Sequence, residues 1–195
     1  VYELARKNKH LVILDGQGAD ELLGGYFMYL LPYYYELPTH KRSQFLKQME
    51  QQQGVQCNPT RSTALQFNFP KVFAMMYRLK QRIKPNISNG IHTDFLHQNA
   101  SSVPFKTFPN LKESLKYSLT SQGLEKLLRF SDRNAMAHSI EARLPFLSHE
   151  LVDYVMQLPS SFFFENGWTK SLLRHAVGDQ LSKGIVWRKD KVGFE

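Results

Sequence analysis

Residues 11–26, LVILDGQGADELLGGY, set a short apolar run directly in front of four glycines and three carboxylates. Leu11 to Leu14 is bounded by a basic segment on one side and Asp15-Gly16 on the other, so it reads as a buried strand. A strand that ends in a glycine-rich turn and feeds a helix exposes backbone N–H groups, which with the helix N-terminus favour an anion such as phosphate. Asp20 and Glu21 would repel a bare phosphate. A divalent cation between them removes the conflict, because Mg²⁺ is commonly held by one or two carboxylates plus phosphate oxygens. The turn therefore reads as a metal-phosphate site, with Gly16 and Gly18 as the bare backbone and Asp20 as the metal ligand. The same spacing suits a plain strand-to-helix turn capped by Asp20, and at this level both readings stay open.

Outward from this turn the chain is mostly helical. Asp20 to about Tyr35 reads as a helix broken near Gly24-Gly25 or Pro32, and THKRSQFLKQMEQQQ opens on Thr39 as an N-cap. Between Cys57 and Pro109, Pro59, Pro70, Pro85, Asn89-Gly90 and Pro104 punctuate shorter helical pieces joined by loops. Helical spacing is expected from Leu111 to Ala142, up to Pro145. Ser148 then caps a helix carrying Leu151, Val152, Val155 and Met156, and a last helix spans about Thr169 to Val177. Leu11–Leu14 is the one convincing strand.

Composition bounds the function classes. With 195 residues, 42% hydrophobic and 22% charged, the chain can bury a sizeable core, and disorder is excluded. Val1 in place of an initiator Met and the end at Glu195 read as cuts from a longer polypeptide. The longest apolar run, YFMYLLPYYY, is about half the roughly 20 residues of a membrane span and contains Pro32, so no span is expected. One cysteine, Cys57, cannot form an intrachain disulfide, and a reducing cytoplasm fits best. The net charge of +8 is spread over small clusters, RKNKH and WRKDK, which read as solvated faces rather than a nucleic-acid surface.

Three separated motifs carry a resemblance. LDGQGADELLGGY, then SDRNAMAHSIEARLPFLSHELVDYVMQLP, then WTKSLLRHAV and WRKDKVGF follow in the order of the synthetase domain of the asparagine synthetase B family, the glutamine-hydrolysing type. The resemblance runs over the whole chain, residues 1–195, as the C-terminal part of that domain. It implies a mainly α fragment of an α/β nucleotide-binding domain of the ATP pyrophosphatase type, also termed adenine nucleotide alpha-hydrolase-like. It further implies ATP and Mg²⁺ as cofactors, adenylation of the aspartate side-chain carboxylate, and displacement of AMP by ammonia that a glutaminase domain supplies. A homo-oligomer is compatible with it; nucleic acid and membrane are not expected partners.

Carried over residue by residue, the resemblance makes Asp20 the acidic residue that binds Mg²⁺ and pyrophosphate, with Gly16 and Gly18 beside the nucleotide and Glu21 supporting the turn. Lys191 matches the family lysine that stabilises negative charge at the α-phosphate and on departing AMP. Glu141 and Arg143 either position substrate and nucleotide through a carboxylate–guanidinium pair or form a buried structural pair, with Asp132 and Arg133 read likewise. Lys170 and Arg174, four apart on a helix, share one face that reads as solvated. His138, His149 and His175 read as surface or packed side chains.

Departures from the family pattern set further expectations. Gln17 stands where the family usually carries Glu, and an amide cannot accept a proton as ammonia attacks. That favours a related amidating or lactam-forming enzyme acting on another carboxylate, a sugar acid or peptide, as the alternative. Ser148 and Ser182 replace a usual Asp and a frequent Pro. The family's SGGxDS pyrophosphate loop and its cysteine-nucleophile glutaminase domain are expected outside these 195 residues, which alone should bind ATP weakly.

Overall fold

The structure, a computed structural model, describes residues 1–83, 108–121 and 123–189. The expected loops at Pro85, Asn89-Gly90 and Pro104, together with Lys191, lie outside the described residues. Helix dominates. In chain order come α1 (Tyr2–Lys7), β1 (Val12–Leu14), α2 (Ala19–Leu23), α3 (Leu30–Glu36), α4 (Thr39–Gln53), α5 (Arg61–Asn68) and α6 (Pro70–Ile83). They are followed by α7 (Leu111–Thr120), α8 (Leu124–Ala137), β2 (Glu141–Arg143), α9 (His149–Gln157), α10 (Ser171–Ala176) and α11 (Lys183–Val186).

Two strands, not one, form the described sheet, and β1 is not the buried strand expected: successive side chains alternate between its faces, leaving Val12 and Leu14 exposed and only Ile13 half-buried. β1 and β2 run parallel, with Val12 opposite Glu141, Ile13 opposite Ala142 and Leu14 opposite Arg143. Backbone bonds extend the ladder at both ends, Glu141 N–H to Leu11 O and Asp15 N–H to Arg143 O, each 2.8 Å. This corrects the expectation of helix through Ala142. The helical stretch breaks first near Gly123, which takes φ +82°, and ends where Ser139 turns into the left-handed region at φ +53°. Ile140 is then buried, and the backbone beyond it finds its hydrogen-bond partners in β1.

The core gathers around α2 and α3. Leu22 and Leu23 pack with Tyr29, Leu30 and Tyr33, with Phe45 and Met49 of α4, Leu111 and Leu115 of α7, Val155 of α9, and Phe163 and Phe164. Rings fill the centre: Tyr33 meets Phe45 edge-on at 5.2 Å and Phe164 at 4.9 Å between centroids. Burying each such side chain contributes about 1.5–3 kcal/mol, so α2, only five residues long, is held by packing rather than by propensity.

Helix ends follow local chemistry. The expected break after α2 falls at Gly24, which takes φ +71°, while Pro32 sits in the first turn of α3, where its missing N–H has no helical partner to lose. Gly18, not Asp20, caps α2, and Pro38, not Thr39, precedes α4. Ser148 caps α9 as expected, its Oγ accepting from Leu151 N–H at 3.4 Å. The last expected helix starts two residues late, at Ser171, because Lys170 adopts a left-handed conformation. Among the described residues no helix is long and apolar enough to cross a membrane.

Candidate functional site at the end of the first strand

The glycine turn emerges at the carboxyl end of β1, the end of a parallel sheet where ligands gather. Asp15 builds it. Its Oδ1 accepts from Gln17 N–H at 3.2 Å, and its Oδ2 accepts from Ser131 Oγ of α8 at 2.8 Å, with Tyr2 OH within 2.7 Å of that hydroxyl. One carboxylate thus shapes the turn and ties it to a helix. Gly16 is exposed with nothing within 4 Å of where a Cβ would stand, so backbone and open space meet there. Gly18 is buried at φ +88°, and a Cβ there would lie 2.3 Å from Leu147.

The two acids of α2 part company. Glu21 is 4% exposed and accepts from Tyr26 OH at 3.0 Å, which makes it part of the interior. Burial, then the Glu21 charge, holds the Tyr26 phenol well above its ordinary pKa, and burial pushes Tyr29 up to about 12. Asp20 points the other way. Its Oδ1 receives Lys170 Nζ at 2.7 Å, with the two side chains 31% and 29% exposed.

Lys170 reaches Asp20 because the segment before it is fixed. Glu165 and Trp168 exchange backbone hydrogen bonds across a two-residue turn, Asn166 and Gly167, both with φ > 0 as such tight turns require. A Cβ on Gly167 would lie 2.2 Å from Gln48 O, and Gln53 Nε2 donates to Gly167 O at 2.8 Å, so the turn is seated on α4. Arg174 grips the other side. Its Nε donates to Thr169 O at 2.9 Å, another guanidinium N–H bonds Val186 O, and the cation lies 4.6 Å from the Trp168 ring centroid. Burial draws its pKa down. Lys170 and Arg174 are therefore not a shared solvated face: the first precedes α10 and meets Asp20, the second clamps three segments together.

Gly25 completes the arrangement. A Cβ there would stand 1.8 Å from Asp20 Oδ1 and 2.4 Å from Lys170 Cε, so the ion pair takes this position only because residue 25 has no side chain. Sequence reading treated Gly24-Gly25 as a helix break and missed this contact. No local signal marks it.

Glu141 and Arg143 do pair, Oε1 accepting from Nε at 2.8 Å, but on an exposed face of β2 with side chains 60% and 62% exposed. They are neither buried nor a strong support, since such pairs contribute about 0–1 kcal/mol. Arg143 lies beside the turn through its carbonyl, which takes Asp15 N–H; Glu141 is reached through the Arg143 side chain. Asp132 and Arg133 are exposed on α8. Of the histidines, His175 bonds Glu165 at 2.7 Å at the rim of a cavity of about 200 Å³ lined by Trp168, Ser171 and Trp187, apart from Asp20 and the glycine turn. His138 is half-buried and His149 exposed. Among the described residues no cluster of three or more His, Cys, Asp or Glu side chains could hold a metal ion.

Comparison with known proteins gives the family. The family model described as asparagine synthase matches residues 1–195. The asparagine synthetase [glutamine-hydrolyzing] 1 of Bacillus subtilis is 28% identical across 100% of this chain and 32% of its own length. Asparagine synthetase [glutamine-hydrolyzing] 2 of the same organism is 29% identical over 94% of this chain and 21% of its own length. The Gallus gallus asparagine synthetase is 41% identical over 61 residues, 30% of this chain and 11% of that protein. The chain thus spans a third or less of these curated relatives, and no solved structure matches it. With a family model covering every residue, the chain belongs to the asparagine synthase family.

Proposed function

We propose that this chain supplies part of the nucleotide and metal site of an ATP-dependent, glutamine-using asparagine synthetase of the ATP pyrophosphatase fold. The observation that carries the reading is Asp20: a partly exposed carboxylate in the first turn of α2, directly after the open backbone of Gly16 and the buried Gly18, facing a lysine at 2.7 Å. Asp20 alone does not make a metal cage. It fits Mg²⁺, which takes one or two carboxylates and fills its octahedron with phosphate oxygens and water. Bound there with ATP, Mg²⁺ would neutralise phosphate charge. Gly16 leaves open backbone for the nucleotide, Gly18 lets the turn that presents it close against Leu147, and Asp15 keeps the turn in shape.

Lys191 provides the positive group for charge that develops at the α-phosphate and on the leaving AMP. Glu141, oriented by Arg143, sits on the neighbouring strand as an acidic group near the acceptor. Gln17 offers an amide that donates or accepts a hydrogen bond but takes no proton. Aspartate is the acceptor by family membership, with ammonia delivered from glutamine. Gln17 supports one alternative, amidation or lactam closure of a sugar acid or peptide carboxylate.

The test is AMP and pyrophosphate release by the full-length protein with ATP, Mg²⁺, ammonia and aspartate, beside Asp20→Asn and Gln17→Glu. Aspartate-dependent turnover that falls in Asp20→Asn and holds or rises in Gln17→Glu supports the proposal. Turnover that ignores aspartate but responds to another carboxylate moves the reading to the alternative; unchanged turnover in Asp20→Asn removes Asp20 from the site.

A further inference from the structure

The Asp20–Lys170 pair has a property that a simple stabilising ion pair does not need. Both partners are only about 30% exposed, 31% and 29%, so water reaches them yet the approach is confined. The lysine backbone is held at φ +53°, a conformation that costs a side-chain-bearing residue about 1–2 kcal/mol. An exposed pair contributes about 0.2–1 kcal/mol. By magnitude the strain equals or exceeds what the pair returns, and strain kept where the surroundings fix it points to a functional position. The surroundings do fix it, through the seated turn at Gly167 and the Arg174 clamp. The space for contact is also specific, since any side chain at residue 25 would occupy it.

The ammonium stands at the one α2 carboxylate that faces out. Glu21 is turned inside and bonded to Tyr26 OH. A divalent ion arriving alone at Asp20 would find its charge already neutralised and a cation beside it. The same ion arriving with phosphate brings the negative charge that offsets Lys170. From this we infer that Lys170 is a placeholder cation: it competes with a lone divalent ion for Asp20, keeps that ion off the turn, and couples metal entry to nucleotide entry. The inference rests on the proposed metal role of Asp20 and adds a reason for metal and nucleotide to bind together.

The experiment measures Mn²⁺ binding by electron paramagnetic resonance in the full-length protein, without nucleotide and with ATP. Wild type should take up Mn²⁺ weakly alone and strongly with ATP. Lys170→Met, and Lys170→Gln as a second neutral variant, should bind Mn²⁺ alone about tenfold more tightly, since a neighbouring cation is gone. ATP should then enhance Mn²⁺ affinity by about tenfold less than in wild type. Lys170→Arg, which keeps the charge, should behave as wild type, and adding Asp20→Asn to Lys170→Met should erase the gain. Equal Mn²⁺ affinity in wild type and both neutral variants overturns the placeholder role, as does an equal gain in Lys170→Arg. Loss of Mn²⁺·ATP binding in Asp20→Asn with no gain in Lys170→Met overturns the placeholder alone. Wild-type Mn²⁺·ATP binding in Asp20→Asn overturns the metal role of Asp20 and this inference with it.

Discussion

Replacing Gly25 by Ala separates the needs of the site from those of the fold. The added methyl would stand 1.8 Å from Asp20 Oδ1, 2.4 Å from Lys170 Cε and 2.7 Å from Asp20 Cγ. Ordinary contact requires the Asp20 carboxylate to retreat by about 1.5 Å or more. Every clashing atom belongs to a partly exposed side chain, so the backbone need not move, and Gly25, unlike Gly24 at φ +71°, is not in the left-handed region. Losing the ion pair costs about 0.2–1 kcal/mol. Against that, alanine restricts the unfolded chain and returns about 0.4–1 kcal/mol. The urea midpoint should therefore move little. Metal-nucleotide binding should fall about 10- to 100-fold, the equivalent of one charge-assisted contact of about 1.5–3 kcal/mol. Gly18→Ala is the contrasting control, since φ +88° and Leu147 at 2.3 Å make it costly to the fold itself. Denaturation and calorimetric titration with Mg²⁺·ATP decide the matter. Unchanged binding in a folded Gly25→Ala protein would refute the claim that the observed position of Asp20 is the one the metal uses.

Two further outcomes are expected. In the full-length enzyme Lys191→Ala should leave ATP affinity nearly intact and lower the single-turnover rate of AMP formation by about 100- to 1,000-fold, with Arg restoring only part; a rate within a few-fold of wild type would end its catalytic assignment. The alkaline limit should be set by buried phenols: Tyr26, Tyr29 and Tyr33 are all raised chiefly by burial, Tyr29 to about 12, so their neutral forms support the fold fully below pH 10 and that support is lost as pH rises towards 12. For Tyr29 the loss is about 1.4 kcal/mol per pH unit above pH 10, with Tyr26 and Tyr33 acting in the same direction, and denaturation midpoints that stay level between pH 9 and 11 would contradict it.

The sequence marked what local chemistry decides. Leu11–Leu14 was legible as a strand because an apolar run stopped at Asp-Gly, and Ser148 as a cap because a hydroxyl preceded a periodic helix. β2 was hidden. Glu-Ala-Arg has no strand preference, and it becomes a strand only where β1 presents unpaired backbone. Lys170 was hidden for a similar reason: its left-handed backbone is imposed by Gly167 on α4 and by Arg174, contacts that spacing along the chain does not encode. The Gly25 contact needed the Lys170 segment brought against the end of α2 before its missing Cβ meant anything.

The pairing of β1 with β2 has a consequence for biosynthesis. The two strands lie about 130 positions apart, so at a ribosomal pace of about 5–20 residues per second β1 waits roughly 6–26 seconds for its partner to be made. During that interval Leu11, Val12 and Leu14 have no parallel neighbour in β2, and within these 195 residues all three stay exposed even once β2 has paired. A nascent chain paused before residue 141 presents an apolar strand with an open hydrogen-bonding edge, the kind of segment that pairs with other chains. Slow codons downstream of the glycine turn should therefore lower soluble yield more than slow codons after Arg143, through lengthened exposure of that edge rather than any change in the native state.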